Sequence, residues 1–129
     1  MTGMNNYLDK NYWSGLLKMG LSRFFILSIL KSSPMHCYAI AKRINMMTSG
    51  RCSPSEGALY PVLNEFLKGG YVNCTIKKVS GRKRKIYALT MKGMEAYKTA
   101  RESWQEMNRV LFKPTDSYYL FEERAGENI

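Results

Sequence analysis

Four consecutive basic residues, at positions 82–85, are the residues of this chain whose type and spacing point most directly to a chemistry. They follow Ser80-Gly81, a turn signal between two segments in which apolar and polar residues alternate. Adjacent cations repel each other unless an anion lies between them, so Arg82, Lys83, Arg84 and Lys85 favour contact with phosphates and with a minor groove. The alternative is a solvated hairpin face. Alanine substitution of the four, with DNA affinity measured against salt, distinguishes the two.

A second set of polar residues lies on the helix predicted for residues 53–70. Ser53 and Glu56 have the spacing of a capping box, and Pro54 is predicted at the first helical position. Its apolar residues repeat at intervals of three and four positions and are Leu59, Val62, Leu63, Phe66 and Leu67. Gly69-Gly70 is predicted to end the helix. The residues on the opposite face are Ser55, Gly57, Tyr60 and Asn64. Their side chains are small or can form hydrogen bonds, which suits insertion into a DNA major groove. Those four side chains could also be ordinary solvent-facing residues.

The elements around this helix have the order of a winged helix-turn-helix. An apolar helix is predicted from Leu16 to Lys31, and Ser33-Pro34 is predicted to start the next helix. The apolar face of that helix consists of Met35, Tyr38, Ile40, Ala41 and Ile44. Two of its residues, Tyr38 and Lys42, are predicted to contact DNA, as is Ser53. After Gly70 the period changes to two, which predicts a hairpin with Ile86 and Ala88 on one face. The predicted fold class is therefore mainly α with a small β hairpin, ending in a long helix.

That last helix is predicted from Thr90, its cap, to about Lys113, before Pro114. Its apolar positions have heptad spacing and are Tyr97, Ala100, Trp104, Met107 and Leu111. A single DNA-binding unit offers this seam no partner in its own fold, so we predict that it forms a homodimer. Aromatic faces in an incompletely filled interface attract planar ligands, which makes Trp104 and Met107 candidate effector contacts. Trp13 is a further candidate, although packing is the simpler role for both tryptophans.

Composition narrows the classes of protein and partner. The chain of 129 residues has a formal net charge of +10, which favours a nucleic acid or an anionic membrane surface as partner. It contains no run of 18 apolar residues and no signal-peptide pattern at its start, so we expect neither a membrane span nor secretion. Three cysteines, an odd number, favour a reducing cytoplasm. Cys37, at a helix start where the dipole is predicted to lower the thiol pKa, and Cys52, near Arg51, are weak candidates for redox or metal sensing.

The sequence lacks the residue combinations that are typical of an enzyme active site. No nucleophile has a histidine and a carboxylate nearby, and there is no phosphate-binding glycine loop, so we expect no catalytic residue, no cofactor and no metal. The competing class is a small architectural DNA- or RNA-binding module without an effector pocket. Such a module would need neither the heptad seam nor Trp104, and it would bind all DNA sequences with similar affinity.

Three sequence blocks resemble the PadR family of bacterial winged-helix transcriptional regulators. They are Pro34-Met35-His36 with Tyr38-Ala39-Ile40-Ala41, then Ser55-Glu56-Gly57-Ala58-Leu59-Tyr60-Pro61-Val62-Leu63, and then Gly81-Arg82-Lys83-Arg84-Lys85-Ile86-Tyr87-Ala88-Leu89-Thr90-Met91-Lys92-Gly93. The likeness spans roughly residues 21–112. It also accounts for Pro61, which helix propensity disfavours but the family tolerates.

The resemblance implies a homodimer that binds a palindromic DNA operator, usually as a repressor released by a small molecule. In one drug-binding branch a tryptophan on the last helix stacks on flat aromatic ligands at the dimer interface, and Trp104 occupies the matching position. Cys37 and Leu67 depart from the family's usual glycine and glutamate. The single final helix resembles the smaller subfamily. The expected organisation is an arm and winged helix-turn-helix over 1–89, a dimerisation helix over 90–113 and an acidic, flexible tail over 114–129.

Overall fold

A computed structural model describes residues 6–113 of the chain. These residues form four helices and three strands: α1 (Lys10–Ser32), β1 (Met35–His36), α2 (Cys37–Met47), α3 (Glu56–Lys68), β2 (Val72–Val79), β3 (Arg82–Leu89) and α4 (Met91–Leu111). The fold class predicted from the sequence, mainly α with a small β hairpin, is confirmed. The predicted acidic tail at 114–129 lies outside the described residues.

The chain divides into two compact units. The first ends at Tyr97 and contains α1, α2, α3, the strands and the first turns of α4. The second begins at Lys98 and, among the described residues, contains the remainder of α4.

Helix α1 starts earlier than the sequence pattern predicted. It begins at Lys10 rather than Leu16, because the Asp9 side chain accepts a hydrogen bond from the Asn11 amide at 2.9 Å and caps the helix. Burial is confined to its second half, where Ile26, Leu27, Ile29 and Leu30 are at most 5% exposed. The first half of α1 leaves large apolar side chains exposed, so it does not contribute to the core in the way its last turns do.

Helix α1, with 23 residues, is also long and apolar enough to cross a membrane by its length and composition alone. The prediction that length alone excludes a membrane span was therefore wrong. Core helices of soluble proteins satisfy the same length and composition test. The four buried residues of its second half pack in the same core cluster as α2 and α3.

The junction before α2 differs from the prediction as well. Ser33 and Pro34 do not start the helix, because Met35 and His36 pair antiparallel with Tyr87 and Ile86 of β3. The helix begins at Cys37, and the His36 ring caps it, with Nδ1 accepting a hydrogen bond from the Ala39 amide at 3.0 Å. The sheet therefore has three strands in the order β1-β3-β2.

The hairpin between β2 and β3 is closed by two residues. Ser80 and Gly81 both have positive φ, 52° and 81°, and Val79 pairs with Arg82. This is the backbone of a two-residue hairpin turn whose twist matches that of the strands. The predicted Ser80-Gly81 turn is confirmed, and it places residues 82–85 on the strand that leaves the turn.

Tyr87 is the buried residue of β3, with 1% of its surface exposed, while Ile86 and Ala88, predicted to share one face, are half-buried. Alternation alone leaves the choice of face open, and Tyr87 is the residue of β3 that joins the core cluster formed with the helices. The sheet and the helices share one core, which includes Ile40, Ile44, Leu59, Leu63, Phe66 and Val72.

The end of α3 and the start of α4 are joined by hydrogen bonds. Gly69 caps α3, Gly70 has a φ of 78°, and the chain turns into β2 as Gly69-Gly70 predicted. Thr90 accepts from the Gly93 amide at 3.0 Å and donates to the Gly70 carbonyl at 2.7 Å, so one hydroxyl caps α4 and fixes the turn after α3. Gly93 is buried, and a Cβ there would overlap the backbone oxygen of Tyr71.

Candidate DNA-binding surface and effector site

The first turn of α3 is capped by Ser55 and not by Ser53. The Ser55 hydroxyl accepts a hydrogen bond from the Ala58 amide at 3.1 Å, and the helix begins at Glu56. The Ser53 hydroxyl is engaged elsewhere, because it accepts a hydrogen bond from Asn45 Nδ2 of α2 at 2.8 Å. The predicted capping box between Ser53 and Glu56 is therefore wrong. Ser53 instead ties the loop before α3 to α2.

The outer face of α3 is the polar face that the sequence predicted. Its exposed residues include Ser55, Gly57, Tyr60 and Asn64, while Leu59, Leu63 and Phe66 are buried on the other side. Leu67, predicted in the core, is 40% exposed because the helix periodicity carries it past the edge of the buried stripe. Pro61 is exposed too, and it has no N–H to donate to the Gly57 carbonyl one turn earlier.

Helix α3 is held against α1 by an ion pair that sequence reasoning missed. Arg23 donates to both carboxylate oxygens of Glu65, at 3.1 and 3.0 Å. These hydrogen bonds and the Arg23 charge lower the pKa of Glu65. The pair offsets the negative charge of Glu65 next to Asn64, and so removes a source of repulsion toward a polyanion. Residues 42 positions apart give no local signal for such a pairing.

The hairpin brings six cations together, since Lys77 and Lys78 of β2 lie opposite Arg84 and Lys83 of β3. Like charges directly opposite each other destabilise a hairpin. None of the six has an ion-pair partner in the described part of the chain, where Arg23 is paired with Glu65. The complete set is Lys77, Lys78, Arg82, Lys83, Arg84 and Lys85, and we call it the basic wing.

Arg84 connects the basic wing to α3. Its side chain is half-buried, and its Nε is buried without a hydrogen-bond partner among the described residues. Burial raises the pKa of the Tyr60 phenol, and electrostatic interactions with Cys37 and Glu56 raise it further. The positive charge of Arg84 acts in the opposite direction and lowers this pKa. A guanidinium and a phenol that interact electrostatically across the two elements form a surface with donors for a phosphate.

Tyr38 and Lys42 lie one turn apart on α2 and are both exposed. Tyr38 has its ring centre 6.2 Å from that of His36, the residue that caps α2. Both side chains are accessible, as a DNA-contacting role requires. Their positions follow from the burial of Cys37, Ile40 and Ile44 on the opposite face of the same helix.

The seam residues predicted on α4 have two different surroundings. Tyr97 belongs to the first unit and packs within its own chain, with its ring stacked on Phe24 at 5.9 Å and Lys31 Nζ 5.0 Å from its centre. For Tyr97, the expectation of a seam residue without a partner in its own fold was wrong. In the second unit Trp104, Met107 and Leu111 are 37%, 50% and 60% exposed. The latter three remain available to another molecule.

Trp13 lies at the start of α1 in a local aromatic cluster. Its indole N–H donates to the Tyr7 carbonyl at 2.8 Å, and its ring meets Tyr12 edge-on at 5.3 Å. Nearly half of the side chain is nevertheless exposed. The cluster fixes the orientation of Trp13 and leaves one face of the ring open.

The family model of the PadR-like transcriptional regulators matches residues 26–99, more than half of the chain. The chain belongs to the PadR-like family. A curated relative, transcriptional regulator YqjI of Escherichia coli, is 34% identical over 90 residues, which are 70% of this chain and 38% of YqjI. The match thus spans well under half of that relative. The family to which this PadR-like protein belongs is one of transcriptional regulators.

Solved structures agree with the assignment of this PadR-like regulator. A transcriptional regulator from Clostridium thermocellum superposes with a TM-score of 0.68 at 26% identity, over 78% of this chain and 98% of the other. A PadR-like transcriptional regulator from Bacillus cereus superposes with a TM-score of 0.66 at 28% identity, over 76% and 94%. The likeness extends over nearly the whole length of both structures.

The cysteines of this PadR-like regulator have surroundings unlike those of reactive thiols. Burial raises the pKa of Cys37 to about 11, with Glu56 adding to the rise, and its thiol donates to the Glu56 carbonyl at 3.8 Å. The prediction that the α2 dipole lowers this pKa was wrong because desolvation outweighs it. Burial also raises the pKa of Cys52, against the opposing charge of Lys18. Within residues 6–113, no group of three or more His, Cys, Asp or Glu forms a metal cluster.

We predict a large difference in thiol reactivity within the folded protein. At pH 8 the Cys37 thiolate is a small fraction of the total, so its alkylation by N-ethylmaleimide will be about 100-fold slower than that of the half-exposed Cys74. Mass spectrometry of digests quenched at successive times measures both rates. Unfolding in urea is the control and should make the two rates similar. Equal rates in the folded protein would show that Cys37 is not shielded.

Proposed function

We propose that this PadR-like protein is a cytoplasmic homodimeric repressor that binds a palindromic operator through α3 and the basic wing. The observation that carries the proposal is the arrangement of six cations, none of them with an ion-pair partner within residues 6–113, beside the exposed polar face of α3. Such a surface is costly in the free protein and becomes favourable when phosphates lie between the charges.

In this proposal α3 reads bases and the wing supplies most of the affinity. Ser55 and Asn64 offer hydrogen-bonding groups for base edges or phosphates, and the exposed backbone at Gly57 allows close approach. Tyr60 and Arg84 then bind one phosphate, which also gives the buried end of the Arg84 guanidinium a favourable electrostatic partner. Tyr38, Lys42 and Ser53 hold the neighbouring backbone in register.

Dimerisation is assigned to the exposed seam of α4. Trp104, Met107 and Leu111 present apolar surface at heptad spacing, and Ala100 continues the same face. A twofold axis through such a seam makes the two copies of α3 equivalent, and equivalent helices require two half-sites related by the same axis. This is why we expect a palindrome.

Footprinting the protein on the DNA upstream of its own gene tests the function. We expect protection of one site with twofold sequence symmetry, and two chains per site by analytical ultracentrifugation. Uniform affinity for all duplexes, with one chain bound at each position, would instead support the architectural module. A symmetric footprint upstream of its own gene would also establish autoregulation.

We further propose that a planar aromatic effector binds at the α4 seam against Trp104. An accessible indole face flanked by the flexible thioether of Met107 suits flat apolar ligands. Trp13 joins this effector set, since its ring is half-exposed.

We predict that ethidium quenches the tryptophan emission of a Trp13→Phe variant in a saturable way, because Trp104 is then the sole tryptophan. Stacking on the indole should at least halve the emission. The matched control is Trp104→Phe, in which Trp13 reports. Loss of the Trp104 platform should shift its quenching to ligand concentrations about tenfold higher. Similar quenching of the two variants, or none with several planar cations, would exclude Trp104 as the ligand platform.

A further inference from the structure

A cavity of about 320 Å³ lies between α1 and the segment that joins α2 to α3. On one side it is lined by α1 residues from Ser14 to Phe25, and on the other by residues 47–52. None of its lining residues belongs to the basic wing or to the residues assigned to the DNA surface and the effector seam. All of its lining residues belong to the first compact unit.

The chemistry of the lining combines an apolar interior with two cations. Leu17, Leu21 and Phe25 supply an apolar wall from successive turns of α1. Lys18 and Arg51 are the charged residues of the lining, and no carboxylate is among its residues. Lys18 is close enough to Cys52, on the opposite wall, to affect its ionisation. Such a cavity complements a molecule with an apolar body and one negative end.

The shape of the cavity favours a long ligand. The lining extends along α1 from residue 14 to residue 25. At 1.5 Å per residue this is about 16 Å of helix. An extended alkyl chain can follow such a wall, whereas a compact ring system would contact only one turn of it.

We propose that this cavity binds a medium-chain aliphatic carboxylate, with the alkyl chain along α1 and the carboxylate between Lys18 and Arg51. The burial of each additional methylene then raises the affinity about fourfold until the wall is filled. The charge comes from the free carboxylate end, so an alcohol of equal length is a weaker ligand.

The position of the cavity couples it to α3, and this part rests on the proposed function. Thr48 Oγ1 accepts a hydrogen bond from the Cys52 amide at 2.9 Å. Its single O–H lies 2.8 Å from the Ile44 carbonyl oxygen of α2 and 3.1 Å from the Cys52 carbonyl oxygen, and either oxygen can accept it. Residues 48–52 are thereby folded into a tight connection, in which Ser49 and Gly50 have positive φ. The next residues are Ser53, bonded to Asn45, and the cap Ser55. A ligand that moves this connection therefore moves the start of α3.

Binding is tested without DNA by calorimetry and by amide shifts of the ¹⁵N-labelled full chain with decanoate. We expect one decanoate per chain, shifts at residues 47–52, and an affinity that rises from hexanoate to decanoate. The double variant Lys18→Gln/Arg51→Gln should weaken binding about tenfold or more. The matched control Lys10→Gln/Lys98→Gln loses the same charge at exposed positions and should bind as the parent does.

Three results would overturn the site. They are no binding at millimolar decanoate, equal weakening in the two double variants, and shifts confined to residues 98–112. A second copy of the chain that covers the cavity would also reject the proposal. In that case Ser14→Trp will dissociate the dimer, and the parent protein will not bind decanoate. Because these measurements use no operator, they stand even if the proposed DNA function fails.

The coupling is measured on the footprinted operator. Saturating decanoate should change operator affinity about fivefold or more, and Lys18→Gln/Arg51→Gln should lose this response while it still binds the operator. Decanoate binding with unchanged operator affinity would reject the coupling to α3. An absence of any specific operator, with decanoate binding intact, would reject the proposed function and not the site.

Discussion

Alanine substitution of Arg82, Lys83 and Lys85 will lower the affinity for operator DNA roughly 10²–10³-fold at about 0.1 M salt. These three wing cations are exposed, whereas Arg84 is half-buried and is left in place to protect the fold. Each phosphate contact contributes about 0.9 units to the slope of log K against log salt. At about 0.1 M salt, two or three lost contacts correspond to the stated loss in affinity.

Titrations at several salt concentrations, with fluorescence anisotropy of a labelled duplex, measure affinity and slope together. The slope should fall by about 2 to 3 in magnitude. The matched control is Lys10→Ala/Lys98→Ala/Arg109→Ala, which removes the same charge from exposed positions on α1 and α4. Should the control lose as much affinity as the wing variant, net charge rather than the wing would account for binding. An unchanged slope in the wing variant would remove the wing from the DNA contact.

Substitution of Gly93 by alanine will lower the free energy of unfolding by about 2 kcal/mol. A Cβ at Gly93 overlaps the Tyr71 backbone oxygen and comes within 2.7 and 2.9 Å of Leu89 side-chain atoms. Overpacking of this kind costs about 3 kcal/mol, which exceeds the gain of about 1 kcal/mol from replacing glycine in a helix. The obstruction is backbone, so the neighbour cannot turn away.

Urea unfolding at one fixed protein concentration measures the effect, because any dimer makes stability depend on concentration. Gly20→Ala is the control within α1, since no atom lies within 4 Å of its would-be Cβ. That substitution should raise the free energy of unfolding by about 0.5–1 kcal/mol. Equal stabilisation by both substitutions would show that α4 does not approach Tyr71 as closely as described.

The sequence predicted the elements better than their junctions. Apolar periodicity identified α3 and the hairpin, which pack on the core, and α4, whose apolar seam is exposed beyond Tyr97. The starts of α2 and α3 were misplaced because several serines and prolines precede each helix, and the tertiary partner decides among them. Ser53 lost the capping role because Asn45 occupies its hydroxyl, a contact between two elements that local rules do not contain.

The DNA surface was predictable in composition and only partly in geometry. The polar residues of α3 follow from its periodicity, and Lys77 and Lys78 follow from extending the register of the hairpin away from Ser80-Gly81. The Arg23–Glu65 pair and the pairing of β1 with β3 at Tyr87 join segments that are distant in the chain, so no local sequence pattern predicts them.

The most direct test of the central claim, that α3 and the basic wing form the DNA surface, is a titration of ¹⁵N-labelled protein with the footprinted duplex. We expect amide shifts at Ser55, Gly57, Tyr60 and Asn64 and along residues 82–85. A duplex of scrambled sequence should retain the wing shifts and lose most of those on α3, because phosphate contacts do not depend on sequence. Shifts concentrated on α1 or α4, with α3 and the wing unaffected by either duplex, would contradict the assignment.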